Sequence, residues 1–309
     1  MSRVFVARAI AGNALQRLTA AGHEVEVWPG NLPPHPIELR DAVADADGLL
    51  SMLTERLDAA LLDAAPQLKV IANYAVGFDN VDLAATAARG IAVGVTPDVL
   101  TDATADLTFA LLLAAARRLP EAQQAVIQGR WRTFEPRGWL GASVHGASIA
   151  IVGARGRIGG AVARRARGFD MEVIPVNRGD DLHAALARAD FVSLHTPLTP
   201  RTRHLIDDDA LAATKPGAIL VNTGRGGLVD QDALARALRE GRLRAAALDV
   251  TDPEPLPPDD PLLAAPNLIV LPHIGSATHQ AREAMAEMAV DNLLAGLADE
   301  PLPYPAPQR

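Results

Sequence analysis

The sequence predicts an α/β protein of two doubly wound parallel-sheet units, and three observations carry that reading. Short apolar runs alternate with Ala/Leu-rich helical patterns twice along the 309 residues, as in parallel sheets covered by helices. A strand over residues 149–152 runs into spaced glycines, Gly153, Gly156 and Gly159, that open a helix. In the last third, the apolar runs 218–221, 245–248 and 268–271 are each followed by one charged or titratable residue: Arg225, Glu254 and His273. Open α/β sheets keep their chemistry at the carboxyl ends of the strands, so these three side chains should share one crevice.

In the first unit, strand-like runs at residues 4–9, 25–28, 48–53, 70–74 and 91–95 alternate with helical patterns such as 11–20 and 58–64. Pro97 closes the last of these strands. Thr101-Asp102-Ala103-Thr104-Ala105-Asp106 then offers capping groups to a helix over about 103–118, too apolar to lie exposed. A second alternation begins at Ala147, with strands near 148–153, 172–177, 191–196, 218–223, 245–250 and 268–271. Six strands with intervening helices fit a doubly wound dinucleotide-binding unit. One helix, about 280–297, follows ahead of a proline-rich tail, and standing alone it is expected to cross back and pack on the first unit. The domains are therefore placed at 1–98 with 281–309, and at 99–280.

Composition narrows the function classes. Hydrophobic residues make up 49% and charged residues 21%, the balance of a globular protein rather than a disordered or fibrous one. A net charge of −8, with no basic cluster carrying interleaved aromatics, argues against a nucleic-acid partner. Without cysteine there is no disulfide, no thiolate nucleophile and no Cys-ligated zinc. The longest apolar stretch, residues 107–116, is too short to span a bilayer, and the N-terminal residues enter a strand pattern without a signal-like apolar region. A cytoplasmic enzyme acting on a small molecule, with no membrane partner and no metal, is the expectation.

Glycines between a strand and a helix let backbone approach a pyrophosphate, and the helix N-terminus presents unpaired N–H groups to it. Here the spacing is Gly153-x-x-Gly156-x-x-Gly159 rather than G-x-G-x-x-G, so either one residue is inserted or Ala154 replaces the first glycine. An ordinary tight turn is the alternative. The following strand ends Val176-Asn177-Arg178-Gly179, without the acidic residue that holds the ribose hydroxyls of NAD. A carboxylate would repel a 2′-phosphate, whereas Asn177 and Arg178 would not, which favours NADP(H) modestly over NAD(H). Arg178 is otherwise a solvated loop charge.

Nearly the whole chain resembles the D-isomer-specific 2-hydroxyacid dehydrogenases, most closely the glyoxylate and hydroxypyruvate reductases. The resemblance rests on Asn73-Tyr74-Ala75-Val76-Gly77-Phe78-Asp79-Asn80-Val81-Asp82, on 101–106, on Gly156-Arg157-Ile158-Gly159, and on His195-Thr196-Pro197-Leu198-Thr199-Pro200. It continues through Val221-Asn222-Thr223-Gly224-Arg225-Gly226, Asp252-Pro253-Glu254-Pro255-Leu256 and Pro272-His273-Ile274-Gly275-Ser276-Ala277-Thr278. It implies a Rossmann cofactor domain inserted in a flavodoxin-like substrate domain, closing on the cofactor and a small 2-oxo acid. Two departures stand out: the residue added around Arg155, and a stretch between Arg178 and Asp181 more than ten residues shorter than in relatives, omitting a small helix and a strand beside the adenosine pocket.

Reducing a 2-oxo acid needs a hydride, a proton for the carbonyl oxygen, and a cation for the carboxylate, and a nicotinamide supplies only the first. His273 fits the proton donor, with Glu254 stabilising the imidazolium and fixing its tautomer. Arg225 fits the clamp, because its planar fork donates two hydrogen bonds. Singly, each has a plainer role: a helix-capping Arg, a solvated Glu in a proline-rich loop, a satisfied buried His. The resemblance implies the same three catalytic positions. It further implies that Val76, Gly77, Leu53 and Ser276 line the substrate pocket, and that Trp139 either reaches a partner subunit's pocket or makes a dimer contact. Cofactor contacts are implied for Thr104, Gly156, Arg157, Ile158, Asn177, Arg178, His195, Pro197, Thr202, Thr223, Gly224, Arg225, Asp249, His273 and Gly275, with Asp249 accepting from the carboxamide; capping is the alternative for Thr104 and a structural role for His195. A homodimer built on the apolar helix at 103–118 is expected. The rivals are another enzyme of the family, such as a phosphoglycerate dehydrogenase, and a nucleotide-sensing binding protein without turnover.

Overall fold

The computed structural model describes residues 1–307 and divides into two compact units, Met1–Leu100 with Ser276–Arg309 and Thr101–Gly275. The last two residues of the expected first domain, 308 and 309, lie outside the described residues.

The first unit is a five-stranded parallel sheet of β1 (Arg3–Val6), β2 (Glu24–Val27), β3 (Gly48–Ser51), β4 (Val70–Asn73) and β5 (Ala92–Gly94), in the order β2-β1-β3-β4-β5. This is the flavodoxin-like order. Helices α1 (Leu15–Ala20), α2 (Pro36–Val43), α3 (Ala59–Asp63) and α4 (Leu83–Ala88) connect the strands. Except for β2, the strands are shorter than the apolar runs that announce them, because each run continues into the loop at the sheet's carboxyl edge. The helical pattern at 11–20 yields helix only from Leu15, since Gly12 takes φ 74° and breaks it. Asp58 and Asp82 start α3 and α4 by accepting the N–H of Leu61 and Ala85.

The second unit opens with α5 (Thr101–Ala116) and α6 (Leu119–Ile127). The residues read as caps, 101–106, instead form the first turns of α5, and the long helix stops two residues early because Arg118 adopts φ 54°. Pro120 then sits in the first turn of α6, where its missing N–H costs nothing. The sheet comprises β6 (Ser148–Val152), β7 (Glu172–Val176), β8 (Phe191–Leu194), β9 (Ala218–Asn222), β10 (Leu243–Leu248) and β11 (Leu268–Val270). All pair in parallel in the order β11-β10-β9-β8-β6-β7. Helices α7 (Arg157–Gly168), α8 (Leu182–Leu186), α9 (Asp208–Ala213) and α10 (Gln231–Arg239) cover its faces over two apolar cores. The apolar helix α5 packs on its own unit with one face, burying Phe109, Leu111 and Leu112 against α7, β9 and β10.

Helix α11 (His279–Leu297) returns to the first unit and packs on β3, β4 and β5. Its buried Asn292 donates to Val95 O and accepts from the N–H of Tyr304, which pins the C-terminal tail beside β5. Among the described residues no helix is long and apolar enough to cross a membrane.

Candidate active site

Strands β9, β10 and β11 are neighbours, so the turns after them bring the Arg225, Glu254 and His273 segments to one edge of one sheet. His273 is held most firmly. Its backbone N–H donates to Asp249 O at 2.9 Å, and the carboxylate of Asp249 accepts the next two N–H groups, Ile274 at 2.8 Å and Gly275 at 2.7 Å. This clamp keeps His273 at φ 55°, a left-handed conformation that costs a non-glycine residue energy and recurs at functional sites. Asp249 is itself buried, which pushes its carboxyl above the ordinary value against the pull of those donors. The Asp249 duty visible here is therefore to shape the His273 loop.

The imidazole Nδ1 of His273 lies 2.7 Å from Glu254 Oε2, and Glu254 Oε1 accepts the N–H of Thr251 at 3.0 Å. Both carboxylate oxygens are engaged, one on the ring and one on the backbone, which fixes the ring and leaves Nε2 as the nitrogen for chemistry. The loop bearing Glu254 is fixed in turn. Gln231 exchanges two hydrogen bonds with the backbone of Asp252, at 2.9 and 2.8 Å, and Arg203 pairs with the Asp252 carboxylate at 2.9 Å. The Arg225 turn packs directly on this loop, since any Cβ at Gly226 would overlap the backbone of Thr251. Asn222 holds that turn by accepting from Gly224 N–H and donating to Arg225 O.

A buried hydroxyl chain crosses the same edge, and its proton order follows from counting. Thr108 donates to Thr104 O at 2.8 Å, so its oxygen accepts from Thr223 Oγ1 at 2.9 Å. The Thr223 oxygen then faces His195 Nδ1 at 3.5 Å as an acceptor, which makes Nε2 the acceptor from Ser193 Oγ at 2.7 Å. Burial pushes the His195 imidazole down to about 3, so this histidine stays neutral. Thr104 does not cap its helix; its hydroxyl donates to Gly275 O at 3.2 Å. The sequence does not single out Thr108 or Ser193, although Thr108 lies one helical turn beyond Thr104.

At the switch point between β6 and β8, the glycine turn fits a dinucleotide. Gly153 has φ 88°, and a Cβ there would meet His195 O at 2.7 Å. A Cβ on Gly159 would overlap Gly153 O. Both therefore serve the close packing expected of such glycines. Gly156 is the N-cap of α7, and the N–H groups of Ile158 and Gly159 meet no acceptor among the described residues, as a pyrophosphate requires. The turn is tied to the neighbouring strand end: the N–H of Arg155 donates to Asn177 Oδ1 at 2.9 Å. Arg178 lies exposed in the next turn. Thr202 donates to Pro197 O at 2.8 Å and stiffens the loop after His195. β7 forms the free edge of the sheet, and no strand lies beyond it among the described residues.

Trp139 sits outside this edge cluster, flanked by the guanidinium groups of Arg118 and Arg130 at 5.8 and 5.9 Å from its ring centre. In the first unit, Leu53, Val76 and Gly77 lie part-exposed on the loops after β3 and β4, and Ser276 begins the return to α11. The N–H groups of Val76 and Gly77 donate to no acceptor among the described residues. No cluster of His, Asp or Glu among the described residues could hold a metal ion.

A doubly wound sheet with a glycine turn at its switch point, and an acid–histidine pair beside an arginine at its carboxyl edge, defines a nicotinamide-dependent oxidoreductase. Residues 109–275 match the model of the D-isomer specific 2-hydroxyacid dehydrogenase NAD binding domain. A glyoxylate reductase of Korarchaeum cryptofilum is 46% identical over 307 residues, covering 95% of this chain and 92% of the relative. A solved protein of Thermus thermophilus matches with TM-score 0.94 and 50% identity, over 99% of this chain and all of that one. The NADPH-dependent glyoxylate/hydroxypyruvate reductase of Sinorhizobium meliloti, solved with NADP and malonate, matches with TM-score 0.85 and 33% identity, over 98% and 96%. The chain belongs to the D-isomer specific 2-hydroxyacid dehydrogenases, and it is an oxidoreductase that uses a nicotinamide dinucleotide.

Proposed function

We propose that this enzyme reduces glyoxylate or hydroxypyruvate to the D-2-hydroxy acid, using NADPH in modest preference to NADH. The observation that carries the reading is the 2.7 Å contact between His273 Nδ1 and Glu254 Oε2, on a strand edge that also bears the Arg225 turn. The named activities of the relatives support the substrate class.

The dinucleotide, when bound, supplies the hydride for the substrate's carbonyl carbon. His273 gives the carbonyl oxygen a proton from Nε2 and is reprotonated from solvent, while Glu254 holds the ring through Nδ1. Arg225 binds the substrate carboxylate and polarises the carbonyl. The free N–H groups of Val76 and Gly77 receive the carboxylate, with Leu53 and Ser276 as further substrate contacts. On the cofactor side, Gly156, Arg157 and Ile158 take the pyrophosphate. Asn177, Arg178, His195, Pro197 and Thr202 flank the adenosine. Thr104, Thr223, Gly224, Asp249 and Gly275 flank the nicotinamide.

The molecule works as a homodimer. Half of α5 is buried in its own unit; its remaining face, with the exposed apolar residues Val126, Ile127, Trp131, Phe134, Trp139 and Leu140 on α6 and the following loop, suits a second copy.

The test is to incubate purified protein with each 2-oxo acid and follow NADPH and NADH absorbance separately. Turnover with both cofactors, faster with NADPH, is expected. Oxidation of neither would overturn the assignment, and a clear preference for NADH would overturn the role given to Asn177 and Arg178.

A further inference from the structure

Two asparagines in the first unit, Asn73 buried and Asn80 half-buried, have no role in the reaction as described, yet they occupy the place where its substrate loops are tied together. Ser51 and Asn73 are the last paired residues of β3 and β4, and both are fully buried. Beyond them the chains separate into the loops carrying Leu53 and Val76-Gly77, and meet again only where Leu57 bridges to Val81. In that gap side-chain amides replace the backbone ladder. Asn80 Nδ2 donates to Met52 O at 2.9 Å and Glu55 O at 3.0 Å. Asn73 Nδ2 donates to Gly77 O at 2.8 Å and to Asn80 Oδ1 at 3.4 Å, and its Oδ1 accepts from Ser51 Oγ at 3.0 Å. Glu55, 3% exposed, curls the first loop back by accepting from Met52 N–H at 2.5 Å and Thr54 Oγ1 at 2.6 Å.

Every one of these contacts consumes a carbonyl, a side-chain group or the N–H of Met52. The N–H groups of Val76 and Gly77 are left without acceptors. Unpaired backbone donors held rigidly suit an anion, because no ordering has to occur when it arrives.

We propose that the Asn73–Asn80 amide pair, with Asn80 as its bridging member, positions the two loops and so sets affinity for the substrate carboxylate. Asn80 is a positioning residue: it touches no reactant and acts through Val76 and Gly77. The inference rests on the reading above that these loops meet the carboxylate. Asparagine suits the place because one amide supplies two donors and an acceptor.

The experiment uses the full-length enzyme with N80D, which puts an acceptor opposite two carbonyls, and N80S, which shortens the side chain. KM for the 2-oxo acid and the inhibition constant of oxalate should both rise about tenfold or more. KM for NADPH and kcat at saturating 2-oxo acid should stay within about twofold of wild type. A merely structural role would lower the melting temperature while leaving the KM of folded enzyme unchanged, and that outcome overturns the proposal. If neither variant folds, hydrogen exchange on the wild type decides: oxalate should protect the amides of residues 74–80, and unchanged exchange overturns the proposal. Wild-type protein that reduces no 2-oxo acid, yet shows this protection, would sink the activity and leave the clamp standing.

Discussion

Replacing Glu254 with glutamine tests the acid–histidine pair with almost no change of shape. The carboxylate accepts two N–H groups, Thr251 N at 3.0 Å and His273 Nδ1 at 2.7 Å. A glutamine amide has one oxygen, so one of those donors must then face an NH₂ group. If the amide keeps Thr251, its NH₂ points at Nδ1 and the ring can hold that contact only as a neutral imidazole protonated on Nε2. If it keeps the ring, Thr251 N–H loses its partner and the loop loosens. Either way one charge-assisted hydrogen bond is lost, worth roughly 1.5–3 kcal/mol, which is about 10- to 150-fold in rate if it is felt in the transition state. We expect kcat for 2-oxo acid reduction under saturating NADPH to fall by about one to two orders of magnitude. Cofactor binding, read by fluorescence quenching, should stay within about twofold, because none of these atoms belongs to the glycine turn. A kcat within twofold of wild type in a folded E254Q protein would refute the assigned role.

Two further outcomes follow from other parts of the second unit. His195 is held near 3 against an ordinary 6.5, so the unfolded chain takes up a proton that the folded protein refuses, and stability falls as pH drops from about 6.5 towards 3. Urea unfolding at pH 7.5 and 5.0 should show about 1–2 kcal/mol more loss in wild type than in H195Q; Asp249, whose raised carboxyl works in the opposite direction, is common to both proteins and cancels, so equal losses would refute the assignment. G159A puts a methyl group into the carbonyl of Gly153 and displaces the start of α7, so KM for NADPH should rise about tenfold or more with about 1–3 kcal/mol lost in stability. Unchanged KM for the cofactor would mean that the turn does not hold the pyrophosphate.

Much of this architecture is legible because parallel strands buried on both faces announce themselves as apolar runs, and the residue that ends each run falls at the functional edge. That is how Arg225, Glu254 and His273 stand out before any coordinates are known. Pro175 carries a second legible message: lacking an N–H, it suits a strand with a free edge, and β7 is the edge strand. What stays hidden has physical reasons. Arg118 ends α5 in a left-handed conformation that no glycine signals; Pro120 marks a break there, but nothing in the pattern announces the second helix, α6, that starts beside it. The contact of Thr108 with Thr223 joins residues 115 positions apart, and the Asn80 contacts depend on where two loops end relative to a sheet. Side-chain networks of this kind have no period and no fixed spacing to read.

At the cofactor end, the glycine turn and the turn after β7 are joined through one side chain, Asn177. The N–H of Arg155, in the turn between Gly153 and Gly156, reaches the end of β7, where Asn177 Oδ1 accepts it. The N–H of Asn177 is itself taken by Asp180 Oδ2 at 2.8 Å. An aspartate at position 177 could accept the same N–H, but its charge would lie beside the Asp180 carboxylate, which the short turn after β7 folds back onto this strand end. The neutral amide therefore suits both the Gly153-x-x-Gly156 turn and the tight turn after β7. It also limits what Asn177 can do for the adenosine, since its oxygen is already engaged. In the cofactor preference proposed above, discrimination at the 2′ position falls to the exposed cation of Arg178, with Asp180 opposing it three residues from Asn177. Opposed charges of similar exposure give a small difference between cofactors, which is the physical basis for expecting the preference for NADPH to be modest rather than absolute.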